Sequence, residues 1–214
     1  MKIINLRNEN EYLIEIANNI IKIVEDSLNL SNKATIMLSG GNTPNKLYPF
    51  LLKKKDWENV NFLWSDERLV KLNSKKNNFS NSSNYFFKYI KYNKENFYPF
   101  DVSLFENKIK ESSLQKINNF LRYNTIDLSI LGMGIDGHTA SIFNNIDLEN
   151  KNIFYTKNKN ENYYRVSMPI NIINNSKSIF LLTNNEKLKV FNLKNDQPVN
   201  GIDENKLTIF NLDD

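Results

Sequence analysis

The chain has no cysteine and only one histidine. Without thiols there is no disulfide framework, no cysteine-based zinc site and no thiol nucleophile, and one imidazole cannot build a multi-histidine metal cage. Glycine and proline are scarce too, 6 and 5 in 214 residues, so their placement is informative. No stretch of about 18 apolar residues exists to cross a membrane. The opening Met1-Lys2-Ile3-Ile4-Asn5-Leu6-Arg7 is broken by polar residues before a secretory core can form. The expectation is a soluble, cytoplasmic protein with no membrane association. A strong charge of one sign is also missing. Lys+Arg 28 less Asp+Glu 24 leaves +4, a surplus too small to argue for nucleic acid, although an acidic small substrate is compatible with it.

What is present suffices for a core: 40% of residues are hydrophobic and 12% aromatic. The length suits one domain over residues 1–214, and no repeat or Pro/Gly/Ser-rich linker divides it. Leu13, Ile16, Ile20, Ile23 and Leu28 recur at three- to five-residue steps, which predicts an amphipathic helix from about Glu9 to Leu28. Ala34–Leu38, Val60–Trp64 and Ile126–Leu131 read as buried strands, as do Tyr163–Met168, Lys177–Thr183 and Leu207–Leu212. Pro44 starts a helix that Pro49 limits. Further helices are expected over Asn81–Tyr92, Phe105–Tyr123 and Asn185–Lys194. Strands alternating with helices predict a three-layer α/β fold, a mostly parallel Rossmann-like sheet with helices on both faces.

In such sheets ligands sit beyond the carboxyl ends of the strands. Three early strands run into polar or glycine-rich segments there. In Ser39-Gly40-Gly41-Asn42-Thr43-Pro44, paired glycines and a helix start offer amides to a phosphate or an oxyanion, although Gly-Gly and Pro are also ordinary loop punctuation. Ser65-Asp66-Glu67-Arg68 supplies a guanidinium fork and carboxylates held near that edge, where four polar residues in a row commonly form only a solvated cluster. Gly132-x-Gly134-x-x-Gly137 after a strand matches a dinucleotide fingerprint, but it comes late in the chain and His138 and Thr139 stand where an apolar helix start belongs. His138 is the one side chain whose ordinary pKa suits proton transfer at neutral pH. A lone histidine is usually structural. Three glycines crowded beside it in a glycine-poor chain favour a functional role, and Asp136 two residues earlier is placed either to hold it or to bond the loop.

These blocks together resemble the 6-phosphogluconolactonases, within the superfamily that also contains glucosamine-6-phosphate deaminase. The resemblance rests on Ser39 to Pro44, Ser65 to Arg68, Asp127 to Phe143 with Gly137-His138-Thr139-Ala140-Ser141-Ile142-Phe143, and Arg165-Val166-Ser167. It implies a cofactor-free, metal-free hydrolase of a small sugar-phosphate lactone, working as a monomer. By that resemblance His138 activates water, Asp66 organises the site, and Arg68 and Lys187 hold the phosphate with Arg165 as a further candidate. Gly40, Gly41, Asn42, Thr43 and Gly134 line the substrate, amides of Gly40, Gly41 or Gly134 being available to an oxyanion. The deaminases continue after Gly-His with an Ala-Phe-Asn-Glu type run; this chain has Thr139-Ala140-Ser141-Ile142-Phe143, which favours the lactonase side. Departures are Asn144 in place of a usual Pro, Asn77-Asn78 in place of Ser-Asn, and no basic residue over Pro198–Gly201. The alternatives are an amino-sugar-phosphate deaminase and a non-catalytic sugar-phosphate binding module.

Overall fold

Strand β1 (Lys2–Leu6) leads into helix α1 (Glu9–Ser31). Asn8 caps α1 by accepting the amides of Asn10 and Glu11 at 2.9 and 3.1 Å, as a short polar side chain does at a helix start. The helix runs past Leu28 because Asn32, left-handed at φ 55°, supplies its carboxyl-terminal cap. In this computed structural model residues 1–103, 108–192 and 197–213 are described.

Next come β2 (Ala34–Leu38), α2 (Asn42–Leu47), β3 (Val60–Trp64), β4 (Asp66–Arg68), α3 (Asn78–Tyr85), β5 (Phe97–Tyr98), β6 (Val102–Ser103), β7 (Lys108–Ile109) and α4 (Glu111–Tyr123). The second half holds β8 (Leu128–Gly132), α5 (Asn145–Leu148), β9 (Phe154–Thr156), β10 (Arg165–Ser167), α6 (Ile170–Asn174), β11 (Ser178–Asn184), α7 (Asn185–Asn192) and β12 (Leu207–Leu212).

Seven strands form one sheet in the order β1-β12-β11-β8-β2-β3-β5, every pairing parallel. Strands β2, β3 and β8 are buried along nearly their whole length, as expected where helices surround a parallel sheet. From β2 the chain moves outward to β3 and β5; from β8 it moves the opposite way to β11 and β12. The loops after β2 and β8 therefore part at their carboxyl ends and leave a crevice, the switch point at which open α/β sheets bind ligands.

Several expectations change. The Asp66–Arg68 segment is a strand, the edge of a second antiparallel sheet of order β4-β10-β9. Ser167 pairs with Asp66, and Arg165 with Arg68, so two polar stretches of the sequence hold each other rather than hanging free. The helix expected from Phe105 begins at Glu111, because Lys108–Ile109 spends its backbone bonds on Val102–Ser103; Phe105 lies outside the described residues. The helix expected over Asn81–Tyr92 starts earlier, capped by Asn77, and breaks at Phe86 (φ −133°, ψ −64°). That break lets Phe86 and Phe87 pack with Trp57, Phe62 and Phe97 in one aromatic cluster. The last helix is described to Asn192, and Lys194 lies outside the described residues. No helix among the described residues is long and apolar enough to cross a membrane.

Candidate active site

A cleft of about 220 Å³ opens at the switch point. It gathers Ser39 to Pro44 from the loop after β2, Asp66 and Arg68 from β4, and Gly132 to Gly134 with His138 and Ala140 from the loop after β8. Arg165 of β10, Leu182 of β11 and Lys187 of α7 complete the lining. All the expected site residues thus meet at one opening, though they differ in how free they are to touch a ligand.

The loop after β8 is a tight hairpin and not a helix start. Gly134 donates its amide to the His138 carbonyl at 2.9 Å, and Gly137 donates to the Gly134 carbonyl at 3.1 Å; Met133 and Thr139 form a bridge across it. No helix begins at His138, which removes the helix amino terminus that a dinucleotide pyrophosphate needs. The bond to the His138 carbonyl also spends the Gly134 amide, so that group is not open to an oxyanion. Glycine at 134 has a steric cause: a Cβ there would sit 2.3 Å from His138 ring atoms and 2.4 Å from Asp136 Oδ1, so only glycine lets the pair fold back over the hairpin.

His138 Nδ1 lies 2.5 Å from Asp136 Oδ1. Its hydrogen bond to the imidazole, opposed by partial burial, holds the Asp136 carboxyl down at about 2. A carboxylate fixed on Nδ1 selects the tautomer with the proton there and leaves the Nε2 lone pair available. The Phe143 ring stands 5.0 Å from the imidazole, centroid to centroid, and also lies under the Arg165 guanidinium at 5.3 Å.

Asp66 makes no hydrogen bond or ion pair with His138; it is the buried hub of a separate network. Its Oδ2 accepts Ser141 Oγ at 2.6 Å and faces Arg68 Nε and Arg165 Nη1, each at 3.7 Å. Its Oδ1 accepts Asn78 Nδ2 at 3.1 Å. A buried carboxylate needs this company, since stripped of water and unpaired it costs several kcal/mol. Ala140, at φ 49°, takes a left-handed turn that an L-residue rarely adopts; just beyond it, Ser141 has its amide on Ser167 Oγ at 3.2 Å and its hydroxyl on Asp66.

The three cations of the cleft differ in their commitments. Arg165 is 5% exposed and forks onto Glu161 through Nε at 2.8 Å and Nη2 at 2.6 Å, while Nη1 lies 3.5 Å from Ser141 Oγ and 3.7 Å from Asp66 Oδ2. Arg68 donates one Nη1 bond to the Lys76 carbonyl at 2.8 Å. Lys187 has no carboxylate partner among the described residues, and it also borders a neighbouring small cavity shared with Thr43. Gly40 and Gly41 show no backbone acceptor for their amides among the described residues. Free amides at a helix start with an ammonium nearby make an anion-binding end.

Sequence reasoning passed over Glu67, Asn78 and Glu161. Glu67 is buried and accepts the amides of Arg68, Asn78 and Phe79 at 2.7, 2.8 and 2.9 Å; burial pushes its carboxyl up to about 7 against the pull of those three bonds. Glu67 stands inside Ser65-Asp66-Glu67-Arg68, a stretch that the sequence does mark, whereas Asn78 is one asparagine among many. Nothing local marked Glu161 as the partner of Arg165. Among the described residues no cluster of three or more His, Asp or Glu side chains could hold a metal ion.

A family model described as glucosamine-6-phosphate isomerases/6-phosphogluconolactonase matches residues 7–209. A 6-phosphogluconolactonase of Thermotoga maritima is 33% identical over 187 residues, covering 84% of this chain and 83% of that protein. One from Haemophilus influenzae is 32% identical over 173 residues, 75% of this chain and 73% of the relative. The crystal structure of a Thermotoga maritima 6-phosphogluconolactonase superposes with a TM-score of 0.88 at 28% identity, covering 99% of this chain and 98% of that one.

Proposed function

Since the chain belongs to the glucosamine-6-phosphate isomerase/6-phosphogluconolactonase family, we propose that it hydrolyses 6-phospho-D-glucono-1,5-lactone to 6-phosphogluconate, the lactone step of the oxidative pentose phosphate pathway. One observation carries this reading: His138, its Nδ1 held by Asp136, lines the same cleft as Arg68 and Lys187. An acid-base group and cations lining one cleft suit a neutral ester joined to a phosphate.

In this reading Lys187, Arg68 and the free amides of the Gly40–Thr43 loop hold the phosphate. The distant grip fixes the lactone carbonyl against a water molecule and removes part of the entropic barrier. Nε2 of His138 takes a proton as that water's oxygen bonds to the carbonyl carbon, and Asp136 stabilises the imidazolium. The tetrahedral oxyanion then collapses, the bond to the ring oxygen breaks, and the imidazolium returns its proton to the leaving alkoxide. Any amide of Gly40 or Gly41 left free by the phosphate is the donor for the oxyanion. Asp66 acts on substrate only through the guanidinium groups it holds. Arg165, turned to Glu161, contributes charge more than contact.

The same reading takes the chain as one domain, 1–214, acting as a monomer in the cytoplasm without metal or cofactor. Lactone generated in situ from glucose 6-phosphate tests it: turnover above the spontaneous rate is expected. Ammonia release from glucosamine 6-phosphate would select the deaminase instead, and ligand-induced stabilisation without turnover would leave a binding module.

A further inference from the structure

The Gly40 loop and the strand that carries Asp66 and Arg68 meet through a side chain that does not itself line the cleft. Asn78, 1% exposed, donates Nδ2 to the Asp66 carbonyl at 2.9 Å and to Asp66 Oδ1 at 3.1 Å. Its backbone amide is held by the Glu67 carboxylate at 2.8 Å. The other end of its amide, Oδ1, is buried without a hydrogen-bond partner. That oxygen presses on Gly40: a Cβ there would fall 1.7 Å from Asn78 Oδ1, 2.2 Å from Cγ and 2.8 Å from Nδ2. All three clashing atoms belong to one amide group. It cannot swing aside without giving up both bonds to Asp66.

An unpartnered buried carbonyl oxygen is unfavourable, and an apolar side chain of that size would fill the same space without leaving an acceptor unpaired. What an apolar side chain would not do is bond Asp66 on one side while standing against the Gly40 backbone on the other. We propose that Asn78 is a positioning residue whose amide sets the distance between the Gly40–Gly41 loop and the Asp66–Arg68 strand, and so the length of sugar phosphate that the cleft accepts. Its activity readout rests on the lactonase reading; its geometry does not.

A double-mutant cycle on the full chain tests this, with Gly40→Ala, Asn78→Ala and the pair together. The readouts are KM and kcat for the lactone, affinity for 6-phosphogluconate and thermal unfolding. Gly40→Ala is expected to raise KM by about 100-fold, the order of loss that an ångström of misplacement brings. Asn78→Ala raises it by about 10-fold, and the double variant matches Asn78→Ala, because the space that the new methyl needs has been cleared. Effects that multiply independently in the double variant overturn the proposal, as does a Gly40→Ala protein with wild-type KM and affinity. A merely structural asparagine would lower the unfolding temperature without this recovery of KM. If Asn78→Ala does not fold, Asn78→Ser, which keeps a short donor, carries the same cycle. A wild-type chain that turns over no lactone sinks the lactonase reading alone, since the cycle is then read on 6-phosphogluconate affinity.

Discussion

Nδ1 of His138 lies 2.5 Å from Oδ1 of Asp136, two residues earlier on the same hairpin, whereas Asp66, the carboxylate that lines the cleft, is spent on Ser141, Asn78 and two arginines. The two acids therefore have different partners. Asp136 sets the imidazole's tautomer; Asp66 is a buried anion that keeps guanidinium groups in place. Residues that line one cleft thus belong to two separate hydrogen-bond networks.

Replacing His138 by Ala is expected to lower kcat by about 10²- to 10⁴-fold, the contribution of a positioned general base. The ring is partly exposed and its one short polar bond is to Asp136, so thermal unfolding should move by only a degree or two. Steady-state kinetics beside a melting curve check this. Wild-type kcat in a folded His138→Ala protein would sink the base assignment.

Lys187→Ala and Arg68→Met are expected to act mainly on KM. Charge-assisted bonds to a phosphate contribute about 1.5–3 kcal/mol each, which corresponds to a rise of about 10- to 100-fold in KM and in the inhibition constant of 6-phosphogluconate. Raising ionic strength should weaken wild-type binding more than binding by either variant, because each variant has one screened charge fewer. A loss confined to kcat would place these cations at the carbonyl instead.

The parallel sheet was legible because its strands are short apolar runs stopped by glycine or polar clusters, and Ala34–Leu38, Val60–Trp64 and Leu207–Leu212 have the bounds expected of them. The amphipathic pattern of α1 was equally plain. Pairings between polar segments were not legible, since Asp66–Arg68 is a strand only because Arg165–Ser167 lies beside it. The break at Phe86 is tertiary in the same way, imposed by an aromatic cluster drawn from five separate positions. In the site, rare residues revealed themselves: one histidine, a few glycines. Asn78 was hidden among many asparagines, and its role depends on a contact with Gly40 that no local spacing encodes.

Arg165→Leu is expected to destabilise the fold by about 3–5 kcal/mol, the cost of breaking a buried ion pair on one side. It strands Glu161, which the guanidinium now holds at 2.6 Å, and takes from Asp66 one of the two guanidinium groups that face it at 3.7 Å. Urea unfolding measures this directly. A second substitution, Glu161→Gln, in the Arg165→Leu background should recover part of the loss, because the stranded carboxylate is then gone.

Glu67 offers a test in which stability and pH are tied. Its carboxyl rises from 4.5 to about 7 in the folded chain, chiefly through burial. Between those values the folded state holds a proton that the unfolded chain has released, so unfolding free energy falls as pH rises through this window. The slope from one such proton is up to about 1.4 kcal/mol per pH unit. Below 4.5 both states are protonated and the penalty is absent; above about 7 both are ionised and it is complete. Glu67→Gln has no proton to lose, so its stability should be flatter than wild type from pH 4.5 to 7. Gln nevertheless brings an amide donor to a place where three backbone amides already donate, so it should be less stable than wild type near pH 5. The gap should narrow toward pH 7 as the ionised wild-type carboxylate meets its desolvation cost. Urea titrations of both proteins across this range decide the matter, and parallel stability curves would show that Glu67 does not titrate there.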